Sequence, residues 1–423
     1  MTRSVASLLL PLALAAPAPG GERTALRCGR LIDGRAGAPL EAAVIVVAAG
    51  RIQQVTRDAP ADATLIDLSS ATCLPGLIDG HTHVLLQGDI TAADYDEQLL
   101  KQSIAYRAIQ ATVAARTALL NGFTTIRDLE TEGAMYADVD VKTAIERGVI
   151  PGPRMFVATR ALAPTGMYGL LGYSWELKVP EGVQIVDGAD ALRHAVREQV
   201  KYGADWIKYY SDRRYNVRDG VLHSWVNYSD EEARALVDEA HRLGRRVAAH
   251  AMGRDGIEAA LKAGVDTIEH GYGLDDALAE LMAKRGVYWC PTLFVGTYVA
   301  EGRAAAGVPI WKEMVGFARD AFGRGLRKGV KIAYGTDAGG YPWTEPEARE
   351  LSFMVRYGMT PLAAIRSATA VAAEMLGRAA DLGTLEPGKL ADVIAVAGDP
   401  LAEVGELERV RFVMKDGVVV KRD

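Results

Sequence analysis

The chain has 423 residues, 49% hydrophobic and 24% charged, with a formal net charge of -6, the balance of a globular protein with material for a large core. Mild acidity, with no basic block and no run of interleaved aromatics and arginines, argues against a phosphate-binding surface and so against a nucleic-acid partner. Three cysteines, Cys28, Cys73 and Cys290, are too few for a disulfide framework and wrongly spaced for a cysteine-built metal site.

The first residues differ in composition from all that follow. A short basic start (Met1 to Arg3), the apolar "VASLLLPLALAA" and the small residues of "AAPAPG" form a secretory signal pattern over residues 1–18, with cleavage expected between Ala13 and Ala18. The apolar stretch is too short to span a bilayer, and no later run reaches the ~20 residues a transmembrane helix needs. The expectation is export, to the periplasm or outside the cell, with no stable membrane association after cleavage.

Residues 24–75 read as short strands and Gly-rich turns: "TALRCGRLIDG", "AAVIVVAAGRIQQV", "ATLIDL", "ATCLPG". Residues 380–423 return to that style, and "VRFVMKDGVVV" has the alternation and Asp-Gly turn of a hairpin. Two strand-rich ends around a different middle predict a small β-sandwich domain assembled from both ends of the chain. Cys28 and Cys73 fall in its strands, where they either pair or stay as buried thiols.

Residues 76–379 alternate strand-like runs with helical segments, which predicts the α/β class and a (β/α)8 barrel. The eight strand candidates are "GLIDGHTHV", "TTIRDL", "RMFVATR", "DWIKYY", "RVAAHA", "DTIEHG", "VYWCPTL" and "KIAYGTDAG". Helices between them carry end signals: "SDEEARALVDEAHRLG" opens on a Ser/Asp cap and stops at Gly244, while "GIEAALKAG" and "DDALAELMAKRG" also end at glycine. An open doubly wound sheet is the competing arrangement, but no Gly-rich phosphate loop follows the first strand.

In "GLIDGHTHV" a strand directs alternate side chains to one face, so His81 and His83 project together and Thr82 away. Barrel enzymes carry their catalytic groups at that C-terminal end of the strands. The other strands finish in the same manner: Lys208 on the fourth, His250 on the fifth, His270 on the sixth, Asp337 on the eighth. One buried histidine is more often hydrogen-bonded packing than a ligand. A lysine in an apolar strand is harder to dismiss, because lysine is rarely buried unpaired, and six such residues at equivalent positions point to a metal centre. His194, His223 and His241 fall in predicted helices or a loop, His194 and His241 as surface residues.

"PGLIDGHTH", "GADWIKYY", "VAAHAMGRDGIEAALKAGVDTIEHG" and "GTDAG" resemble the amidohydrolase superfamily, in its imidazolonepropionase-like branch with the Xaa-Pro dipeptidases (prolidases) and ochratoxin-hydrolysing amidases. The likeness runs over nearly all of the mature chain and is specific for the superfamily rather than for a substrate. It implies two divalent metal ions, usually zinc, with His81, His83 and Asp337 on the first and His250 and His270 on the second. Lys208, carboxylated by CO2, would bridge them: a deprotonated lysine can form a carbamate, whose oxygens act as a bridging carboxylate. Two dications ~3.5–4 Å apart also need more anionic compensation than one aspartate and a hydroxide provide. The resemblance further implies attack of a metal-bridging hydroxide on an amide carbonyl, with Asp337 carrying the proton to the leaving nitrogen.

Substrate contacts are expected from loops after the strands. "ALAPTGMYGLLGYSWE" reads as a lid or pocket wall, with Tyr168 and Trp175 as apolar lining, while Tyr210 and Arg254 are candidates for a substrate carboxylate. Relatives commonly carry a second histidine two places after the fifth-strand ligand, where this chain has Met252, which makes the site more apolar. The expected function is hydrolysis of small-molecule amides: dipeptides of the Xaa-Pro kind, or N-acyl amino acids such as ochratoxin A. A mononuclear cyclic-amide hydrolase or deaminase is the alternative, which Lys208 argues against because one ion needs no bridge. A non-catalytic binding protein is disfavoured by the intact ligand set. Relatives generally oligomerise, so a homo-oligomer is expected.

Overall fold

The computed structural model describes residues 23–35, 37–88, 92–167 and 173–423. The expected signal segment 1–18 and Tyr168 lie outside the described residues.

The two chain ends meet in one eight-stranded sheet. Its order is Val418–Arg422, Phe412–Lys415, Val393–Val396, Ala63–Pro75, Arg23–Leu31, Val44–Ala48 and Arg51–Thr56, with Leu40–Glu41 paired off Arg23–Leu31. The ends join where Val393–Val396 runs antiparallel to Thr72–Pro75, over a core that includes Leu26, Ile45, Ile52, Val393 and Phe412. Cys28 and Cys73 are bonded to each other, with Cα atoms 5.9 Å apart, which decides between the two states open to them; Cys290 is a buried free thiol. "KDG" makes the expected hairpin turn, Asp416 and Gly417 both at positive φ. "ATLIDL" and "ATCLPG" form one strand rather than two. Ser69 and Ser70, which read as punctuation, sit at a register shift opposite Gly29, where a Cβ would lie 2.2 Å from the Ser69 carbonyl oxygen.

All eight expected middle strands are present. Leu77–Thr82, Phe123–Asp128 and Arg154–Val157 form a parallel three-stranded sheet. Trp206–Tyr210, Arg246–Ala251, Thr267–His270, Tyr288–Cys290 and Lys331–Ile332 run parallel in a second sheet, extended at one edge by Leu162–Ala163 and Gln184–Ile185. Backbone hydrogen bonds join the sheets on both sides: Asp205 N to Val157 O (2.8 Å), and Gly80 N to Tyr334 O (2.9 Å) with Asp337 N to His81 O (2.7 Å). Helices follow as their caps dictate. Asp230–Arg242 opens on a Ser229/Glu232 capping box, and Arg254–Ala263 and Asp276–Arg285 end on left-handed Gly264 and Gly286. No described helix is long and apolar enough to cross a membrane.

One element has no counterpart in the sequence reading. After Tyr210, Asp212–Arg218 and Val221–Val226 form an antiparallel hairpin, which places His223 on a strand, paired with Asp255, rather than in a helix or loop.

Candidate metal centre and active site

The strand ends bring His81, His83, Lys208, His250, His270 and Asp337 to one cavity of about 710 Å³. The ligand atoms of His81, His270 and Asp337 lie within 4.8 Å of one another. His83 Nε2 is 3.0 Å from Asp337 Oδ1, and the His250 ring centroid is 4.5 Å from that of His270. Parallel pairing fixes these placements, Tyr210 opposite His250 and Ala251 opposite His270, and Lys208 shares a face with Tyr210 by strand alternation. His270 and Asp337 both have positive φ, a conformation uncommon outside glycine that clusters at functional sites. Gly335 of "GTDAG" is required by closeness: a Cβ there would lie 2.9 Å from that of His81.

Each imidazole is oriented by a partner on its other nitrogen. His81 Nδ1 donates to Glu269 Oε2 at 2.8 Å, His83 Nδ1 faces the Glu130 carbonyl at 3.3 Å, His270 Nδ1 bonds Thr292 Oγ1 at 2.8 Å, and His250 Nε2 bonds the Tyr215 hydroxyl at 2.9 Å. The other nitrogens are thereby left to the centre, an arrangement typical of metal-binding histidines. His81 Nε2 is buried with no hydrogen-bond partner and lies 3.7 Å from Asp337 Oδ1. A buried imidazole nitrogen without a partner, among three more imidazoles and a carboxylate, fits a divalent cation.

Burial sets the protonation of the cluster. It lowers His81 to about 4, with the Lys208 charge adding to the effect, and pushes His250 and His270 well below the usual histidine range. For His83 burial works the same way, but the Asp337 hydrogen bond and charge outweigh it and raise the group to about 9. Burial disfavours the Asp337 charge, yet the imidazoles of His81 and His83 hold its carboxyl well below the usual range. Lys208 is 1% exposed, and among the described residues no carboxylate lies within 4.0 Å of its ammonium; the Tyr210 ring centroid is 5.7 Å from it.

Several functional neighbours escaped the sequence reading. Fully buried Glu269 links His81 to the Arg127 guanidinium, Oε1 to Nη2 at 2.9 Å, and the Arg127 charge holds it ionised against its burial. Both are charged residues in fully buried strands, but Phe123–Asp128 and Thr267–His270 are themselves rich in polar residues and lack the apolar contrast that singled out Lys208. Glu130 and Glu132 gather with His83, and Glu130 accepts from the Tyr210 hydroxyl at 2.7 Å.

Tyr210 and Met252 line the cavity, as do Gly166 and Met167 of the expected lid. Trp175 does not: it is 92% exposed. Arg254 is likewise corrected, because its guanidinium pairs with Asp275 (2.9 Å) and Glu258 (2.8 Å) at the start of its own helix and is absent from the lining. The arginines that do line the cavity are Arg213, Arg214 and Arg303, two from the unforeseen hairpin and one from the helix Leu293–Ala305.

Comparison with known proteins agrees with this geometry. The Amidohydrolase family model matches residues 72–420. Ochratoxinase of Aspergillus niger is 33% identical over 432 aligned positions, covering 94% of this chain and 86% of the fungal enzyme. The crystal structure of a Xaa-Pro dipeptidase with methionine bound in its active site superposes with a TM-score of 0.86 at 33% identity, over 95% of this chain and 100% of that one. A prolidase complexed with N-methylphosphonate-L-proline gives 0.84 at 31% identity, over 95% and 100%. The chain therefore belongs to the amidohydrolase family and is a hydrolase of amide bonds.

Proposed function

We propose that this hydrolase is binuclear and cleaves the amide bond of dipeptides, Xaa-Pro or with another C-terminal residue, or of N-acyl amino acids of the ochratoxin type. Lys208 carries the reading: a 1% exposed lysine among four histidines and an aspartate, with no carboxylate partner among the described residues. An unpaired buried ammonium is unfavourable, whereas carboxylation by CO2 makes the same side chain an anion that two cations can share. His81, His83 and Asp337 would hold one ion and His250 and His270 the other, with the Lys208 carbamate common to both; imidazole and carboxylate donors suit zinc. Bound there, divalent ions supply Lewis acidity toward the amide carbonyl and an acidified water.

The remaining chemistry falls to the chain. Asp337, ionised beside His83, takes a proton at its carboxylate from the water whose oxygen bonds to the amide carbonyl carbon, and returns it to the amide nitrogen as the C–N bond breaks, so that an amine rather than an amide anion departs. The products are a carboxylic acid and an amino acid. Met252 and Met167 make part of the wall apolar, consistent with an apolar acyl group.

We also infer that the two parallel sheets close as an eight-stranded barrel, supported by the hydrogen bonds on both sides, and that the terminal sheet folds as a sandwich. The Cys28–Cys73 bond supports export to an oxidising compartment. Exposed Tyr106, Ile109 and Val113 on the helix Ile104–Leu120 support a homo-oligomer.

His81, His270 and Asp337 by themselves could hold a single ion, which keeps open the alternative of a mononuclear cyclic-amide hydrolase. Metal analysis joined to a screen of dipeptides and N-acyl amino acids separates the readings. About two ions per chain with amide turnover supports the first, about one ion with cyclic-amide turnover the second, and binding without turnover defeats both.

A further inference from the structure

The strand ends account for the floor of the cavity, but one wall is left over. It is built by the hairpin and by the helices Leu293–Ala305 and Ile310–Lys328, and it carries Arg213, Arg214 and Arg303. Among the described residues none of these three has a carboxylate within 4.0 Å. Arg213 Nε and Nη1 and Arg303 Nε are buried atoms without a hydrogen-bond partner. The two arginines that are buried as whole residues among the described ones are well supplied: Arg107 donates to the carbonyls of Leu85, Thr131 and Glu132, and Arg127 to Gly80 O and Glu269. Buried N–H groups without an acceptor are unfavourable, so their presence at a cavity wall marks a ligand that brings oxygen atoms.

The backbone is shaped for the same end. Arg213 lies opposite Trp225 and Asn216 opposite His223, so this strand holds one residue more than its partner, and Arg214 has φ 51°. A regular strand would send Arg213 and Tyr215 to one face and Arg214 to the other. The bulge lets all three line the cavity. Arg303 is fixed from the other side, its guanidinium 4.0 Å from the Trp311 ring. Trp311 meets Tyr215 edge-on at 6.2 Å, and the Tyr215 hydroxyl bonds His250. Two aromatic side chains thus connect the cationic wall to the proposed metal ligands.

The geometry points to Arg213, together with Arg303, as the site for the free carboxylate of the leaving amino acid, an inference that rests on the amide-hydrolase reading of the cluster. A guanidinium fork suits a carboxylate bidentately, and a carboxylate bound there confines cleavage to the amide of a C-terminal residue. C-terminal amides then lose the anchor.

The test uses metal-loaded enzyme with glycyl-proline, alanyl-methionine and N-acetyl-phenylalanine, each as free acid and as C-terminal carboxamide. The wild type is expected to prefer the acids by ~100-fold or more in kcat/KM. In Arg213→Met and Arg303→Met that ratio should fall toward unity, and Arg213→Lys should keep part of it, having charge without the fork. Metal content and Tm are checked on each variant, and any that loses either is set aside for the next. Equal turnover of acid and carboxamide by the wild type, or an unchanged ratio in the variants, overturns the anchor while leaving amide hydrolysis intact. If none of the probes is cleaved, the underlying reading fails, and calorimetry with L-methionine against L-methioninamide decides the anchor: binding that needs the carboxylate and is lost in Arg213→Met sustains it, equal affinity overturns it.

Discussion

The floor of the cavity and its hairpin wall treat their polar groups in opposite ways. On the floor every imidazole has one nitrogen held by the protein, through Glu269, the Glu130 carbonyl, Thr292 or Tyr215, and the lone pairs left over converge on the centre. On the wall, Arg213 Nε and Nη1 and Arg303 Nε are buried with no partner among the described residues. Lone pairs call for cations and N–H groups for anions, so the groups left without partners indicate the polarity of what each surface receives. The floor suits metal and the wall suits a carboxylate.

The largest effects are expected on the floor. Lys208→Ala and His83→Ala should each abolish hydrolysis and reduce bound metal, measured by turnover and metal analysis. Short carboxylic acids should partly restore Lys208→Ala by replacing the proposed anionic bridge, while Lys208→Arg stays inactive because guanidinium keeps its proton. Wild-type metal and turnover in Lys208→Arg, or near-normal activity in His83→Ala, would remove the floor from the comparison.

Beneath the ligands, Glu269→Gln should weaken metal binding by ~10–100-fold through loss of the His81 orientation. It should also lower stability by about 3–5 kcal/mol, since the fully buried Arg127 loses its counter-ion. Chelator competition and denaturant unfolding read the two effects separately, and an unchanged metal affinity would show that His81 needs no such support.

Tyr215 joins wall to floor. Tyr215→Phe keeps the ring that meets Trp311 but frees His250 Nε2, so metal affinity should fall by about 10-fold at a stability cost of about 1 kcal/mol. A variant with lower stability and full affinity would mean that the hydroxyl serves the hairpin alone.

The smallest effect is expected from Arg254→Ala. Its pairs with Asp275 and Glu258 are part-exposed, a class worth at most about 1 kcal/mol, and kcat/KM should stay close to wild type. A large rise in KM would return Arg254 to the site and weaken the assignment of the carboxylate to the hairpin.

Arg254 and Lys208 also show how far local sequence carries. Both are cations close to a strand end. Lys208 was legible because two-residue alternation places it among apolar neighbours in "DWIKYY", an anomaly visible within five residues. Arg254 opens a helix, and whether it faces the cavity or Asp275 depends on a residue 21 positions away. The hairpin left a trace, since "DRRYNVRDGVLHSWV" alternates around Asp-Gly, but the bulge at Arg214 breaks that alternation and hides which side chains turn inward.

By itself the sequence determined the succession of the eight middle strands, the helix caps and the six residues that meet at the cavity. These follow from short-range periodicity and from polar groups placed where apolar ones belong. The tertiary structure decided the partners. Glu269 reaches His81 across 188 residues, the pairing of Cys28 with Cys73 depends on neighbouring strands, and Arg213 Nε and Nη1 stay without a partner because no described residue folded against them supplies an acceptor. Backbone periodicity is a property of neighbours in the chain, whereas hydrogen bonding and charge compensation belong to neighbours in space.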